Sequence, residues 1–475
     1  MNFARDVVEA APPGCRALVA LARDGSRREW TMGQVAGESA TLAAELHALG
    51  VRRGDVVLTL LGNRPEWVLT MVACFRQGYV VLPCTEQLRA GDLRLRLDVA
   101  QPRLVVADER NAAALSGAGW DGPTIWAPWR DPPRRDRPPP AELAPGDPCL
   151  VTFTSGTAGE PKAVLHGQRY LTGQRLQAER WLDAREDELV WCTATSGWSK
   201  SARNAFIAPW LRGAAALLHD ARFDPDERLE LLERERVSIL CMAPTEYCVI
   251  SKRAKPRPTA GLRGLVAAGE ALDPGVLGAW HEATGLWIRD GYGQTETGHL
   301  AGMPLGEPAR PGSMGRPLPG VALRIVDGEL VLKDPATDPT FFLRYLGEEP
   351  PSGPWRTGDR VHADDDGFLY FEGRADDVIV SAGYRIGPFE VESVLAAHPA
   401  VADAAVVAAP DDERGSVVRA VVVLRAGRQP SETLVRELQE HVKTQTAPYK
   451  YPRIVDFADE LPRTPSGKLR RAALR

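Results

Sequence analysis

At 475 residues the chain is longer than a single hydrophobic core sustains, so two or more domains are expected. Apolar residues at 44% and charged residues at 25% exclude a long disordered chain, and a net charge of −5 gives no electrostatic basis for binding nucleic acid. The longest apolar runs, such as Val56-Val57-Leu58-Thr59-Leu60-Leu61, are strand-sized, well short of the roughly 18–20 residues of a membrane span. Asp6 and Glu9 interrupt the place where a secretory signal would need its apolar stretch, so a cytoplasmic protein is expected. Cysteines 15, 74, 84, 149, 192, 241 and 248 lack CxxC spacing and lie mostly in apolar runs, which reads as reduced core thiols.

Hydrophobic periodicity predicts a helix over 32–49, a strand over 55–61, a helix over 66–77 and strands over 79–82 and 103–107. This alternation predicts an α/β fold with mainly parallel sheets flanked by helices. The proline-rich stretch 131–140 reads as an exposed loop, because proline lacks the N–H donor and fixes φ.

Pro148-Cys149-Leu150-Val151-Thr152-Phe153 reads as a buried strand, followed directly by Thr154-Ser155-Gly156-Thr157-Ala158-Gly159-Glu160-Pro161-Lys162. Glycines let backbone N–H groups approach an anion, the hydroxyls and Lys162 add donors and charge, and open α/β sheets bind ligands at the carboxyl ends of strands. A phosphate chain is the ligand this suggests; an ordinary surface turn is the alternative for the segment taken alone. The spacing does not match GxxxxGK[ST], which disfavours a P-loop kinase.

Further on, Arg289-Asp290-Gly291-Tyr292-Gly293-Gln294-Thr295-Glu296-Thr297-Gly298 reads as a ligand-facing loop after Trp287-Ile288. Tyr292 suits stacking on a purine, Thr295 a phosphate contact and Glu296 an oxygen ligand for Mg²⁺; a capped turn with an exposed glutamate is the alternative. In Trp355-Arg356-Thr357-Gly358-Asp359 the carboxylate is suited to a sugar diol, and Gly373-Arg374-Ala375-Asp376-Asp377 stands at an apparent domain junction. Beyond it, a helix over 389–397, strands over 404–408 and 417–424, a helix over 432–443 and a strand over 453–457 predict a small α+β domain. Lys468, in Thr464-Pro465-Ser466-Gly467-Lys468, would by itself be read as a solvated tail charge.

Taken together and in order, these segments resemble the AMP-forming acyl-CoA synthetases of the adenylate-forming superfamily, which also holds luciferases and peptide-synthetase adenylation domains. The resemblance spans nearly the whole chain. Gly197-Trp198-Ser199-Lys200, Met242-Ala243-Pro244-Thr245-Glu246-Tyr247, Gly312-Ser313-Met314-Gly315-Arg316-Pro317 and Tyr384-Arg385-Ile386-Gly387-Pro388-Phe389-Glu390 look like its medium-chain branch. The resemblance implies a large domain over 1–375 that binds ATP and the acid, and a small mobile domain over 376–475 turning about a hinge at Asp376. It implies ATP-dependent conversion of a carboxylic acid to acyl-AMP and pyrophosphate, then transfer to CoA, with ATP, CoA and Mg²⁺ as the small-molecule requirements. Alternative outcomes are delivery to a carrier-protein thiol or an amine, activation of another oxyacid, or a nucleotide-binding regulator without catalysis. Retention of Glu296, Asp359 and Lys468 argues against the last. Oligomeric state is left open.

By the same resemblance, Thr154, Ser155, Gly156, Thr157, Gly159 and Lys162 would cover the ATP β- and γ-phosphates. Gly269, Glu270, Ala271 and Tyr292, with Asp290, Gly291 and Gln294 beside them, would hold the nucleoside, and Thr295 the α-phosphate. Glu296 would bind Mg²⁺, Asp359 and Arg374 the ribose side, and Arg385 would lie near the nucleotide. Lys468 would contact both α-phosphate and substrate carboxylate, while Gly383 and Tyr384 would line the CoA channel. Trp198, Ser199, Ala268 and Gly293 would form the acyl pocket. Acetate-specific relatives look to carry a tryptophan at the position of Gly293. Glycine there implies an open wall and a preference for medium-chain or aromatic acids, since each buried methylene is worth roughly 0.8 kcal/mol. Gly293→Trp is accordingly expected to favour acetate. Two departures from the pattern are Ala158, where a second threonine is common, and a short segment before Thr31.

Overall fold

The computed structural model describes the chain from Met1 to Arg475 apart from 130–136, 155–160, 271, 376, 378, 382–383, 412–414, 447 and 464–468. It divides into two compact units. The larger comprises Met1–Thr154, Pro161–Ala322 and Asp334–Gly353; the smaller contains Leu323–Lys333 and Pro354–Arg475.

Two sheets build the larger unit. One has the strands Arg16–Leu21, Ala215–His219, Leu189–Cys192, Ile239–Met242, Gly264–Ala268 and Ile288–Gln294 as parallel neighbours. The antiparallel strand Arg27–Thr31 lies beside Arg16–Leu21 on one side, and Gly298–Gly302 then Ser313–Pro317 follow on the other. The second is a seven-stranded sheet in which Pro148–Phe153, Val80–Cys84, Val56–Leu60, Leu104–Asp108 and Thr124–Ala127 run parallel, with Ala163–Gly167 and Arg344–Tyr345 antiparallel at one edge. Most of the parallel strands, Ile288–Gln294 and Thr124–Ala127 apart, are apolar on both faces, as expected for sheets covered on both sides.

Helix Met32–Ala48 starts where the Thr31 side chain accepts from the Gln34 N–H and the Gln34 side chain accepts from the Thr31 N–H. Helix Pro65–Gln77 is buried continuously from Trp67 to Arg76, and it belongs to a core that contains residues from both sheets. The helix is apolar all round because it is covered all round. The strand and helix positions expected before residue 153 therefore stand, with ends shifted by one or two residues. Residues 137–140 of the proline-rich stretch have no regular structure, and the Pro138 and Pro139 carbonyls accept from Arg76 and Gln77. Among the described residues no helix is long and apolar enough to cross a membrane. All seven cysteines are free, five of them buried.

Within the smaller unit, Leu323–Val326, Glu329–Leu332, Trp355–Ala363 and Leu369–Arg374 pair antiparallel in that order. Strands Val401–Asp411, Gly415–Leu424 and Ile454–Phe457 form a three-stranded sheet packed with helices Pro388–Ala397 and Glu432–Gln445 around their own apolar core. The expected α+β pattern is present. The compact unit also takes in the antiparallel strands Leu323–Val326, Glu329–Leu332, Trp355–Ala363 and Leu369–Arg374, earlier than residue 376.

Candidate active site

The parallel strands of the larger unit end in short segments that carry most of the expected ligand-facing residues. Ala268 closes the strand Gly264–Ala268 and leads into Gly269 and Glu270, while the next strand brings Asp290, Gly291 and Tyr292 alongside, with Ala268 opposite Gly291. One expectation is corrected here. The segment 289–298 is not a loop: Ile288–Gln294 is a strand that forms an antiparallel hairpin with Gly298–Gly302, bulged between Tyr292 and Gly293. Its glycines and polar residues resemble turn composition, but burial on both sides and ladder pairing outweigh local propensity.

Gly293 also carries a backbone constraint. A Cβ built there would stand 1.8 Å from the Gly298 carbonyl oxygen and 3.0 Å from the His299 Cα. The close approach of the two hairpin strands at the bulge gives glycine a backbone reason beside acid size, so adding an indole requires the hairpin to shift. Gly197 is held in the same way: its φ is +95°, and a Cβ would lie 2.4 Å from the Thr85 amide nitrogen.

The phosphate-type loop leaves the strand Pro148–Phe153 and returns at Ala163–Gly167. The described ends are tied together, with Thr154 N–H donating to the Lys162 carbonyl at 2.9 Å and Lys162 N–H to the Thr154 hydroxyl oxygen at 2.9 Å. Ser155, Gly156, Thr157 and Gly159 lie outside the described residues. The Lys162 ammonium sits 4.5 Å above the Tyr345 ring and 3.5 Å from Glu348. Tyr345 in turn donates its hydroxyl to Glu296 Oε1 at 2.8 Å, and the Phe342 N–H donates to the Glu296 carbonyl at 2.8 Å. Lys162 and Glu296, 134 apart in sequence by subtraction of their numbers, are thus joined by a tyrosine that sequence reasoning missed. Only its pairing with Val164 across the Arg344–Tyr345 strand brings it there, and no local motif announces that.

Ser199 and Thr295 also meet, hydroxyl to hydroxyl at 3.3 Å. Trp198, half-buried, precedes Ser199, and the next residue, Lys200, donates to the Ala268 carbonyl at 3.2 Å. Gln294 N–H donates to the Thr297 hydroxyl at 3.1 Å, and Thr340 donates to the Thr297 carbonyl at 2.6 Å, which fixes the turn that presents Thr295 and Glu296. In the smaller unit, Asp359 and Arg374 are cross-strand partners, with Arg374 Nη1 donating to Asp359 Oδ1 at 3.0 Å and to the Thr357 carbonyl at 3.0 Å. Ala271, Asp376, Gly383 and Lys468 lie outside the described residues. Tyr384 and Arg385 are described in their backbone alone, in a short hairpin with Ile379–Ser381.

Asp290 is fully buried, and burial pushes its carboxyl up to about 8, only partly opposed by the Gly291 N–H that donates to it at 2.8 Å. The acid therefore enters the folded state protonated. Stability falls as pH rises from the usual carboxyl range near 4 towards 8, because the unfolded chain has already lost that proton. Asp290→Asn, which keeps the acceptor for Gly291, is expected to match the parent near pH 4 and to gain in thermal midpoint steadily up to about pH 8, then level off. Melting curves of both proteins across that range check it; a constant offset at all pH values counts against a buried neutral acid.

Residues 5–336 match the AMP-binding enzyme family, and 390–468 match the AMP-binding enzyme C-terminal domain. The chain belongs to the AMP-binding enzyme family. It is 38% identical to mouse (Mus musculus) acyl-coenzyme A synthetase ACSM4, mitochondrial, over all of this chain and 90% of that one. It is 36% identical to the uncharacterized acyl-CoA ligase YtcI of Bacillus subtilis, over 95% of this chain and 91% of that protein. Among solved structures, the anthranilate CoA ligase AuaEII in complex with anthranoyl-AMP superposes with a TM-score of 0.89 at 28% identity, covering 100% of this chain and 96% of that one. As a family member, the chain carries Lys162, Thr295 and Glu296 on the larger unit and Asp359 with Arg374 on the smaller.

Proposed function

We propose that the protein is an AMP-forming acyl-CoA synthetase that activates a carboxylic acid larger than acetate. The observation that carries this reading is the meeting of Lys162, Tyr345 and Glu296 beside the Ser199–Thr295 pair. A cation, a carboxylate and two hydroxyls at strand carboxyl ends suit a polyphosphate and its counter-ion. The similarity to acyl-CoA ligases supports a carboxylic acid and CoA as the other substrates. A substrate carboxylate oxygen attacks the α-phosphorus and pyrophosphate leaves; the CoA sulfur then attacks the acyl carbonyl, AMP leaves, and the thiol proton passes to solvent.

Glu296 fits Mg²⁺ as a hard oxygen donor. Among the described residues no three His, Cys, Asp or Glu side chains converge as a metal cage, and Mg²⁺ is commonly held by one or two carboxylates and substrate phosphates. When bound, the ion would neutralise phosphate charge. Lys162 and the loop from Thr154 would hold the leaving pyrophosphate, Thr295 the α-phosphate, and Asp359 with Arg374 the ribose. Lys468 would steady the charge that builds on the α-phosphate, and Asp376 would be the hinge between a domain over 1–375 and a mobile one over 376–475. Cytoplasmic location is part of the same reading.

Carboxylate-dependent ATP–pyrophosphate exchange across a panel of acids, followed by AMP release with CoA, tests the reading. Exchange followed by CoA-dependent AMP release supports it; no exchange with any acid refutes it, and exchange without CoA use redirects it to a carrier thiol or an amine. Tyr345→Phe removes the hydroxyl bonded to Glu296 and keeps the ring beneath Lys162. A hydrogen bond to a charged group is worth roughly 1.5–3 kcal/mol, so the KM for ATP in the presence of Mg²⁺ is expected to rise about tenfold with little change in thermal midpoint. Initial-rate exchange kinetics check this; an unchanged KM removes Tyr345 from the nucleotide site.

A further inference from the structure

Inside the larger unit lies a group of buried polar side chains that neither the nucleotide nor the fold employs. Arg203 is 4% exposed, and among the described residues its Nε and Nη1 have no hydrogen-bond partner and no carboxylate pairs with it. Its charge bears on His166, His299 and the Tyr170 hydroxyl. His166 stacks on Tyr170 with ring centroids 4.0 Å apart, and His299 on Trp181 at 4.1 Å. Neither ring nitrogen of either histidine has a partner, although both residues are at most 4% exposed. Behind them, Gln177 Nε2 donates to Asn204 Oδ1 at 3.1 Å and leaves the Asn204 amide nitrogen and the Gln177 oxygen unmatched.

Such a concentration is costly. A buried polar group without a partner costs roughly 1–3 kcal/mol, and a buried unpaired charge costs more. Burial and the nearby guanidinium hold the His166 imidazole down to about 3 and the His299 imidazole well below its usual range, so each is neutral and offers one N–H donor and one acceptor.

The position of the group gives its meaning. Ser199 and Arg203 are four residues apart on one helical run, so they lie on the same face one turn apart. Opposite them, Thr295 meets Ser199, and His299, four residues further along the hairpin, lies within reach of the Arg203 charge. Ser199 and Thr295, where the reacting carboxylate is proposed to bind, are thus followed one helical turn on by Arg203 and four residues on by His299.

We infer that this group is the far wall of the acid-binding site and that the natural substrate is a carboxylic acid whose distal end carries a hydrogen-bond acceptor, most strongly a second carboxylate, received by Arg203, His166, His299 and Asn204. The inference rests on the synthetase reading and refines the acid it takes. A site built to bond a polar substituent rejects the analogue lacking it, because the protein groups are then left unpaired.

The test uses the full-length protein and matched acids: adipate against hexanoate, and 4-hydroxybenzoate against 4-methylbenzoate, each in pyrophosphate exchange and in thermal-shift binding. In at least one pair the acceptor-ended acid is expected to exceed its apolar partner in kcat/KM by tenfold or more. Arg203→Met should reverse that ratio with the KM for ATP unchanged, and Arg203→Lys, which retains the charge, should restore part of it. Removal of an unpaired buried charge by a side chain of similar length is compatible with folding. Preference for the apolar acid in every pair, or equal loss for both members in Arg203→Met, overturns the inference. If no acid supports exchange, the synthetase reading fails by itself. Thermal shift then decides the inference: Arg203-dependent stabilisation by an acceptor-ended acid sustains it, and its absence overturns it.

Discussion

Lys468→Ala is expected to cut acid-dependent pyrophosphate exchange by roughly 10²–10³, the scale of losing one preorganised donor to a developing negative charge. The effect should be confined to the first half-reaction. Negative charge accumulates as a carboxylate oxygen attacks the α-phosphorus, and an ammonium held there stabilises that state more than the bound substrates. In thioester formation the acyl carbon–oxygen bond of an existing carboxylate–phosphate anhydride breaks and AMP departs with its phosphorus untouched, and the proposed rotation about Asp376 brings the other face of the small domain to the site. Supplied acyl-AMP and CoA should therefore react at close to the parent rate. Stopped-flow or quench measurement of the two steps separates them, and equal loss in both would contradict a two-position use of one site.

Gly293→Trp is expected to abolish measurable exchange and lower the thermal midpoint by several degrees, rather than turn the enzyme towards acetate. A Cβ would already stand 1.8 Å from the Gly298 carbonyl oxygen, so the hairpin must separate before any indole reaches the acid. Overpacking a well-packed interior costs roughly 1–3 kcal/mol when side chains can yield, and here the obstacle is backbone. Displacing the bulge also displaces Thr295 and Glu296, which lie in the turn between its strands. Circular dichroism melts and exchange with acetate, hexanoate and benzoate provide the readout. A folded variant with a raised acetate preference would show that this hairpin adjusts freely and would restore the simple view of residue 293 as an adjustable wall.

The two substitutions rest on different grounds. The role proposed for Lys468 comes from the resemblance of its segment, in order with the others, to the adenylate-forming enzymes. At Gly293 the residue type was legible and its reason was not, because the constraint comes from a carbonyl five positions away folded back across a β-bulge. The segment 289–298 misled for a related cause: glycine, aspartate and glutamine are poor strand formers in isolation, yet pairing with parallel and antiparallel neighbours places them in a buried ladder.

By itself the sequence determined the alternation of strands and helices, the small α+β region at the carboxyl end, and the motif residues proposed for phosphate-type chemistry. Those properties follow from local periodicity and from side-chain chemistry, both of which are written along the chain. Only tertiary structure decided that Tyr345 links Lys162 to Glu296, that Ser199 meets Thr295, and that Arg203 is buried with no carboxylate paired to it among the described residues. These groups come from separate strands and helices whose register is fixed by long-range pairing and core packing. No spacing rule encodes such neighbours, since their proximity is a property of how two sheets and a buried helix share one core.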